Sequence, residues 1–304
     1  MVFAPPPWVE ALFDAGSMEA RESVNGLMMS VSTIPEATFV RVCAPEAVDL
    51  DALSFQRRTV QAYGLLASAL RNHPARHPVR FWNLVPDIRA RAEDGIDRYM
   101  LFNAGRLVAF HNWFGAEKTF NDFIATSTGV GHKGRDLVID VLAANRPGVH
   151  LQNPRQNRPS SYSCRYGPFP PCFARATLTH WHSGEIRLLI GGTASVRGEE
   201  SVHEGELRGQ TEETFSNLAS IVRASIQASR GPTPEIEDLE LFDAFESLRV
   251  YFPEQYLIEE IRHLVEQRIG HLDDIEYLQA DICRPELLIE IEGVVRIDKL
   301  SAVR

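Results

Sequence analysis

The sequence predicts an α+β fold, one sheet with helices on one face, and three observations in its second half carry that reading. Ala174 to His182 and Ile186 to Gly191 read as two strands of a hairpin around Ser183-Gly184. Thr211 to Arg230 and Pro253 to Ile269 repeat apolar residues at helical spacing: Phe215, Leu218, Val222 and Ile226, then Leu257, Ile261, Leu264 and Val265. Leu248 to Phe252, Tyr277 to Cys283 and Leu287 to Ile297 read as further strands. The order strand, strand, helix, strand, helix, strand, strand suits a single sheet covered on one side.

The first half reads less sharply. Residues 1–35 are weakly patterned and are expected to form an arm or a peripheral hairpin. From residue 36 to 150 a second, related α/β domain is expected. Thr38 to Cys43, Val79 to Leu84, Phe123 to Thr126 and Leu137 to Leu142 read as strands there. Ser54 to Arg71 and Asp97 to Ala109 read as helices. This half could follow the plan of the second, although no convincing repeat shows in the sequence. Residues 151–304 form the third unit. It opens on Gln152 to Pro171, a stretch dense in Pro, Asn, Arg and Ser that is either a linker or a loop system over a site.

Composition narrows the function classes. The net charge is −10, which argues against a nonspecific nucleic-acid partner. No apolar run reaches the length of a membrane helix. Met1 to Phe13 has three prolines and no basic start, so it does not read as a signal peptide. Cys43, Cys164, Cys172 and Cys283 form no C-x-x-C pair, and reduced thiols of a cytoplasmic protein are expected. Of 31 basic residues only Lys118, Lys133 and Lys299 are lysine. Genome composition suffices to explain most of the arginine. Some of it is of the kind that grips carboxylates or phosphates in fork geometry.

Several motifs have a bland and a sharp reading. Gly129 to Gly134 fits G-x-G-x-x-G, but a strand-like run follows it where a dinucleotide site needs a helix, so a glycine-rich turn is expected. Cys164, Cys172, His180 and His182 lie close in sequence without the spacing of zinc ligands. Gly191 to Ser195 is either a strand end where backbones approach closely or a pocket floor. Tyr162, Arg165, Tyr166 and Arg175 are set among prolines. They are either a solvated basic loop or a carboxylate pocket. Glu290 and Glu292 share one face of an apolar strand. They either guard an edge against water or face a dry cleft, where burial would keep a carboxylic acid protonated.

Cys283 to Gly293 (CRPELLIEIEG) resembles the terminal strand motif of the RidA-like, or YjgF-like, fold. Further segments are similar to the chorismatase family, which carries that fold in its C-terminal half. They are Arg80 to Asn83, Arg98-Tyr99, Phe102 to Arg106, Asn153 to Gln156, Tyr162 to Pro168, Phe173 to Ala176, Gly192 to Ser195, and Gln210 with Glu213, Thr214 and Asn217. The likeness runs in order over residues 79–304. It implies a RidA-like catalytic domain and an enzyme that removes the enolpyruvyl side chain of chorismate as pyruvate, with no metal or organic cofactor. One branch of the family hydrolyses the vinyl ether to a diol. The other forms 3-hydroxybenzoate, and some members also make 4-hydroxybenzoate.

The resemblance places Glu290 at the catalytic glutamate, and Tyr162, Arg165 and Arg175 at the substrate loop. Arg106 and Arg284 are weaker candidates. Cys283, seven residues before Glu290, and Gly191, beside the Gly-Thr-Ala-Ser segment, match the 3-hydroxybenzoate-forming branch. The expected partner is chorismate, with neither nucleic acid nor membrane, and a monomer or homotrimer is expected. A RidA-like protein that only binds small ligands is the reading from another class. An imine deaminase is disfavoured because Asp273 to Ala280 holds no arginine.

Overall fold

The computed structural model describes residues 3–13, 18–91, 95–115, 120–181, 184–231, 236–270 and 272–300. After helix α1 (Pro7–Phe13), the first half runs β1 (Met18–Val24), β2 (Leu27–Thr33), β3 (Ala37–Ala44), α2 (Ala52–Arg71), β4 (His77–Pro86), α3 (Arg98–Phe114), β5 (Thr126–His132) and β6 (Leu137–Ala144). The second runs β7 (Val149–Leu151), β8 (Ala176–His180), β9 (Ile186–Ala194), β10 (Val196–Arg197), β11 (Glu200–Ser201), α4 (Leu207–Arg230), α5 (Asp238–Asp243), β12 (Phe245–Phe252), α6 (Ile258–Ile269), β13 (Ile275–Gln279) and β14 (Glu290–Arg296).

The α+β expectation holds for both halves. Each builds one mixed sheet, in the orders β1-β2-β3-β6-β4-β5 and β13-β12-β14-β9-β8-β7 among the described residues. The inner plan is the same twice. A hairpin strand pairs with the last strand, which pairs antiparallel with the middle strand, which pairs parallel with the strand beyond. The repeat that the sequence hides is therefore plain in the topology. Two sequences can share a strand order while filling their cores with different residues.

The elements form for local reasons. Asp51 caps α2 by accepting the Ser54 N–H at 2.9 Å, and Asp97 caps α3 by accepting the Met100 N–H at 2.8 Å. Phe55, Tyr63, Leu66 and Leu70 line the buried face of α2 against the first sheet. Phe215, Leu218, Val222 and Ile226 of α4 do the same on the second sheet, joined by Ile261 and Val265 of α6. The opposite faces of the two sheets meet each other. Trp82, Leu142, Leu189 and Val294 fill that interior, and Val9 and Phe13 of α1 wedge into it.

Some boundaries differ from expectation. Met18 to Thr33 is a hairpin, but it forms the outer strands of the first sheet rather than a separate arm. Residues 129–132 lie inside β5 and are not a turn. Their glycines let Tyr99 on one side and the 281–282 backbone on the other approach the strand closely. Phe123 ends a short 3₁₀ turn (Phe120–Phe123) instead of opening a strand. β13 ends at Gln279, and residues 280–289 form an irregular connection to β14. His180 ends β8 exposed, and His182 lies outside the described residues. No group of three His, Cys, Asp or Glu side chains that could hold a metal occurs among the described residues.

Candidate active site

A cavity of about 260 Å³ opens where the two halves meet. β5 and the N-terminal end of α3 supply one wall, with Tyr99, Arg106, Ser127 and Gly129. The second sheet and the connection before β14 supply another, with Gly192, Cys283, Arg284 and Glu290. The loop of residues 156–175 closes it over the top, with Tyr162, Arg165, Tyr166, Phe173 and Arg175.

Glu290 is the first residue of β14, paired with Tyr251 on one side and Ala194 on the other. β14 lies in the interior of its sheet, so the edge-strand reading of the two glutamates is wrong. Glu290 is 6% exposed and Glu292 3%. No hydrogen bond reaches the Glu290 carboxyl from the described residues. Burial first, and the Glu292 charge second, push its pKa up to about 8. It is a carboxylic acid that keeps its proton at neutral pH. In the other half, the first residue of β6 that pairs with β4 is Val138, opposite Leu84. The repeated fold therefore carries an acid at one of two comparable positions.

The cations around it are not equivalent. Arg106 is 1% exposed and Arg175 7%. Arg106 donates to Asn103 Oδ1 at 2.7 Å, and its Nε has no partner. Arg175 donates from Nη2 to the Tyr162 hydroxyl at 2.5 Å, and its Nε is likewise unpartnered. Buried N–H groups without acceptors are costly, and an anion entering the cavity would satisfy them. Phe173 lies under both guanidinium groups, with centroid distances of 5.8 and 5.1 Å. Arg165 sits on the rim, 57% exposed and paired with Glu200. Arg284 lines the cavity rather than pointing away from it. It stacks on Tyr166 at 3.9 Å and donates to the Glu199 carbonyl at 2.8 Å.

Gly191 and Gly192 divide the two readings of their segment between them. A β-carbon at Gly191 would lie 2.6 Å from Thr126 Oγ1 and 2.7 Å from the Ser127 carbonyl oxygen. Gly191 is thus where β9 meets β5, and it does not line the cavity. Gly192 does, directly beneath the Glu290 carboxyl. Cys283 lines the cavity near Glu290, where burial pushes its thiol up to about 12 and keeps it neutral.

Other motif residues hold the walls in place. Arg155 bonds Asn217 and Glu213, and Asn217 Nδ2 donates to the Ala194 and Val196 carbonyls, fastening the loop and β9 to α4. Gln210 donates to the Glu286 carbonyl at 2.8 Å and accepts from the Leu288 N–H at 2.7 Å, fixing the approach to β14. The sequence reading missed Tyr99, Gln156 and Phe173 as cavity residues. Each lay inside a motif segment, but only the meeting of the two halves turns them toward one space.

Known proteins resemble this chain in sequence and in fold. The model of the family "Chorismatase FkbO/Hyg5-like, N-terminal" matches residues 16–143. The 3-hydroxybenzoate synthase of Streptomyces hygroscopicus is 34% identical over 71% of this chain and 62% of its own length. A chorismatase of Streptomyces rapamycinicus is 32% identical over 71% of this chain and 63% of its own length. The chain is thus similar to chorismatases. It spans a little under two thirds of the length of these relatives. A chorismatase crystal structure superposes with a TM-score of 0.77 at 27% identity, covering 90% of this chain and 78% of that one. The chorismatase fold thus accounts for both sheets together, including the half that the sequence left vague. Among the described residues no helix is long and apolar enough to cross a membrane.

Proposed function

We propose that this chain is a chorismatase that converts chorismate to 3-hydroxybenzoate and pyruvate. The observation that carries the reading is Glu290. It is a protonated carboxylic acid that no described residue hydrogen-bonds, in the wall of a cavity whose buried arginines have N–H groups unpartnered among the described residues.

A vinyl ether breaks most readily when its terminal methylene carbon takes a proton. The product is an oxocarbenium ion at the ether carbon. Glu290 supplies that proton, and its carboxylate then faces the cation and stabilises it. The two carboxylates of chorismate need charge-assisted donors once they leave water. Arg175 with Tyr162, and Arg106, are the interior donors, while Arg284 is half-buried in the wall and Arg165 stands on the rim. If water is kept from the cation, the ring hydroxyl of the substrate adds to it instead. The cyclic intermediate then collapses to the aromatic product and pyruvate, and no water is consumed. The neutral thiol of Cys283 occupies the wall beside Glu290, where it limits the space for a water molecule.

Incubation with chorismate and chromatography of the products tests the proposal. Equal amounts of pyruvate and 3-hydroxybenzoate are expected. Absence of pyruvate overturns the enzyme reading and favours a ligand-binding protein. Pyruvate with a dihydroxycyclohexadiene carboxylate overturns only the branch.

A further inference from the structure

Glu292 lies two residues beyond Glu290, on the same face of β14. It is tied entirely to the other half of the molecule. Its Oε2 accepts from Arg80 Nη2 at 2.7 Å and from the Thr128 hydroxyl at 2.5 Å, and its Oε1 accepts from Trp82 Nε1 at 2.8 Å. Arg80 is 2% exposed and stacks on Trp82 at 4.8 Å. Three donors therefore hold this buried carboxylate, one of them a guanidinium that pairs with it. The Thr128 hydroxyl also accepts the Gly192 N–H at 2.9 Å. One hydroxyl therefore joins the fixed charge to the backbone on which the Glu290 carboxyl rests.

We propose that Glu292, Arg80 and Thr128 form the positioning device of the site. The Glu292 carboxylate, on the same face of β14 and held by Arg80, reinforces burial in keeping the proton on Glu290, and Thr128 holds Gly192 in place beneath it. The inference rests on the role of Glu290 proposed above and adds what sets that role.

Other charged groups face Glu290 from each side. Arg80 of β4, Arg175 before β8 and Arg284 before β14 favour its ionised form. Cys283 and Glu286 lie on the segment leading into β14, and Asp97, Tyr99 and Arg106 face it from α3 and its cap. Arg91, Tyr162, Arg165 and Tyr166 stand farther out along the cavity wall. Tyr251 pairs with Glu290 across the sheet, and Arg249 stands opposite Glu292. The three cations nearest in effect all draw the proton off. Burial opposes them first, and the Glu292 charge adds to it. Removing the Glu292 charge also leaves Arg80 uncompensated, so both consequences act in the same direction.

The test follows the Glu290 carboxyl directly, by ¹³C NMR of protein labelled at the glutamate side-chain carboxyls, with E290Q identifying the resonance. In E292Q the midpoint of that titration is expected to fall by about one unit or more, a tenfold loss of proton affinity. An unmoved midpoint in a folded E292Q overturns the proposal. The T128V variant keeps the shape and every charge, and so serves if E292Q does not fold. It is expected to lower kcat about tenfold with little change in KM, with T128S restoring turnover. T128V turning over as wild type overturns the positioning role. The NMR arm needs no substrate, so it still decides the proposal if the chain releases no pyruvate from chorismate.

Discussion

Gly192 lies directly beneath Glu290, so that a β-carbon on the glycine would overlap the carboxyl group. Its neighbour Gly191 turns the other way and meets Thr126 and Ser127 of the other sheet. Two adjacent glycines thus serve different purposes, one for the acid and one for the junction of the halves. G192A is expected to lower kcat by about a hundredfold, because the carboxyl must shift to make room. G191A is expected to lower thermal stability instead, because backbone cannot yield to it as a side chain can. Pyruvate release and thermal unfolding, measured on both variants, separate the effects.

Glu290 should govern the pH profile. Its protonated form is the active one, so the rate constant holds at neutral pH and falls tenfold per unit above about 8. E290Q should lose about 10²–10⁴-fold in turnover and abolish that limb.

The same group has a consequence for stability. Between the ordinary carboxylate range and about 8, the folded chain holds a proton that the unfolded chain has released. Stability of the wild type therefore falls as pH rises through this window. E290Q lacks that dependence and should be the more stable protein at pH 8, with the difference vanishing near pH 5. Urea unfolding at the two pH values checks the sign.

The arginines should separate by burial. R175M removes an interior cation whose Nε awaits an acceptor, and a rise in KM of about a hundredfold is expected. R165M removes a rim residue already paired with Glu200, and a change of no more than a few-fold is expected. Steady-state kinetics on both variants would reverse this ranking if the rim held the substrate.

Gln210 should matter for the acid without touching it. Its side chain satisfies two backbone groups of the segment leading into β14. Q210A leaves both without partners, at a cost of about 1–3 kcal/mol each. A lower melting temperature together with reduced kcat is expected. An unchanged melting temperature would show that the segment holds itself.

The sequence alone determined the local half of this picture. Helical spacing in α2, α4 and α6 and the alternation that puts Glu290 and Glu292 on one face both depend on near neighbours. They are visible along the chain for that reason. The motif residues around Tyr162 and Arg175 were legible through resemblance. Tertiary structure decided the rest. Whether the two glutamates met water or a dry cleft depended on β14 lying inside its sheet, with Arg80, Trp82 and Thr128 arriving from residues more than 160 positions away. Arg106, Arg165, Arg175 and Arg284 look alike in sequence, yet burial and partners make Arg106 and Arg175 interior, Arg284 a half-buried wall residue and Arg165 a rim residue. The same holds for the glycines: only the approach of β5 on one side and a carboxyl on the other tells Gly191 from Gly192. Charge state, access and close approach are properties of what surrounds a residue, and those surroundings come from both halves of the chain at once.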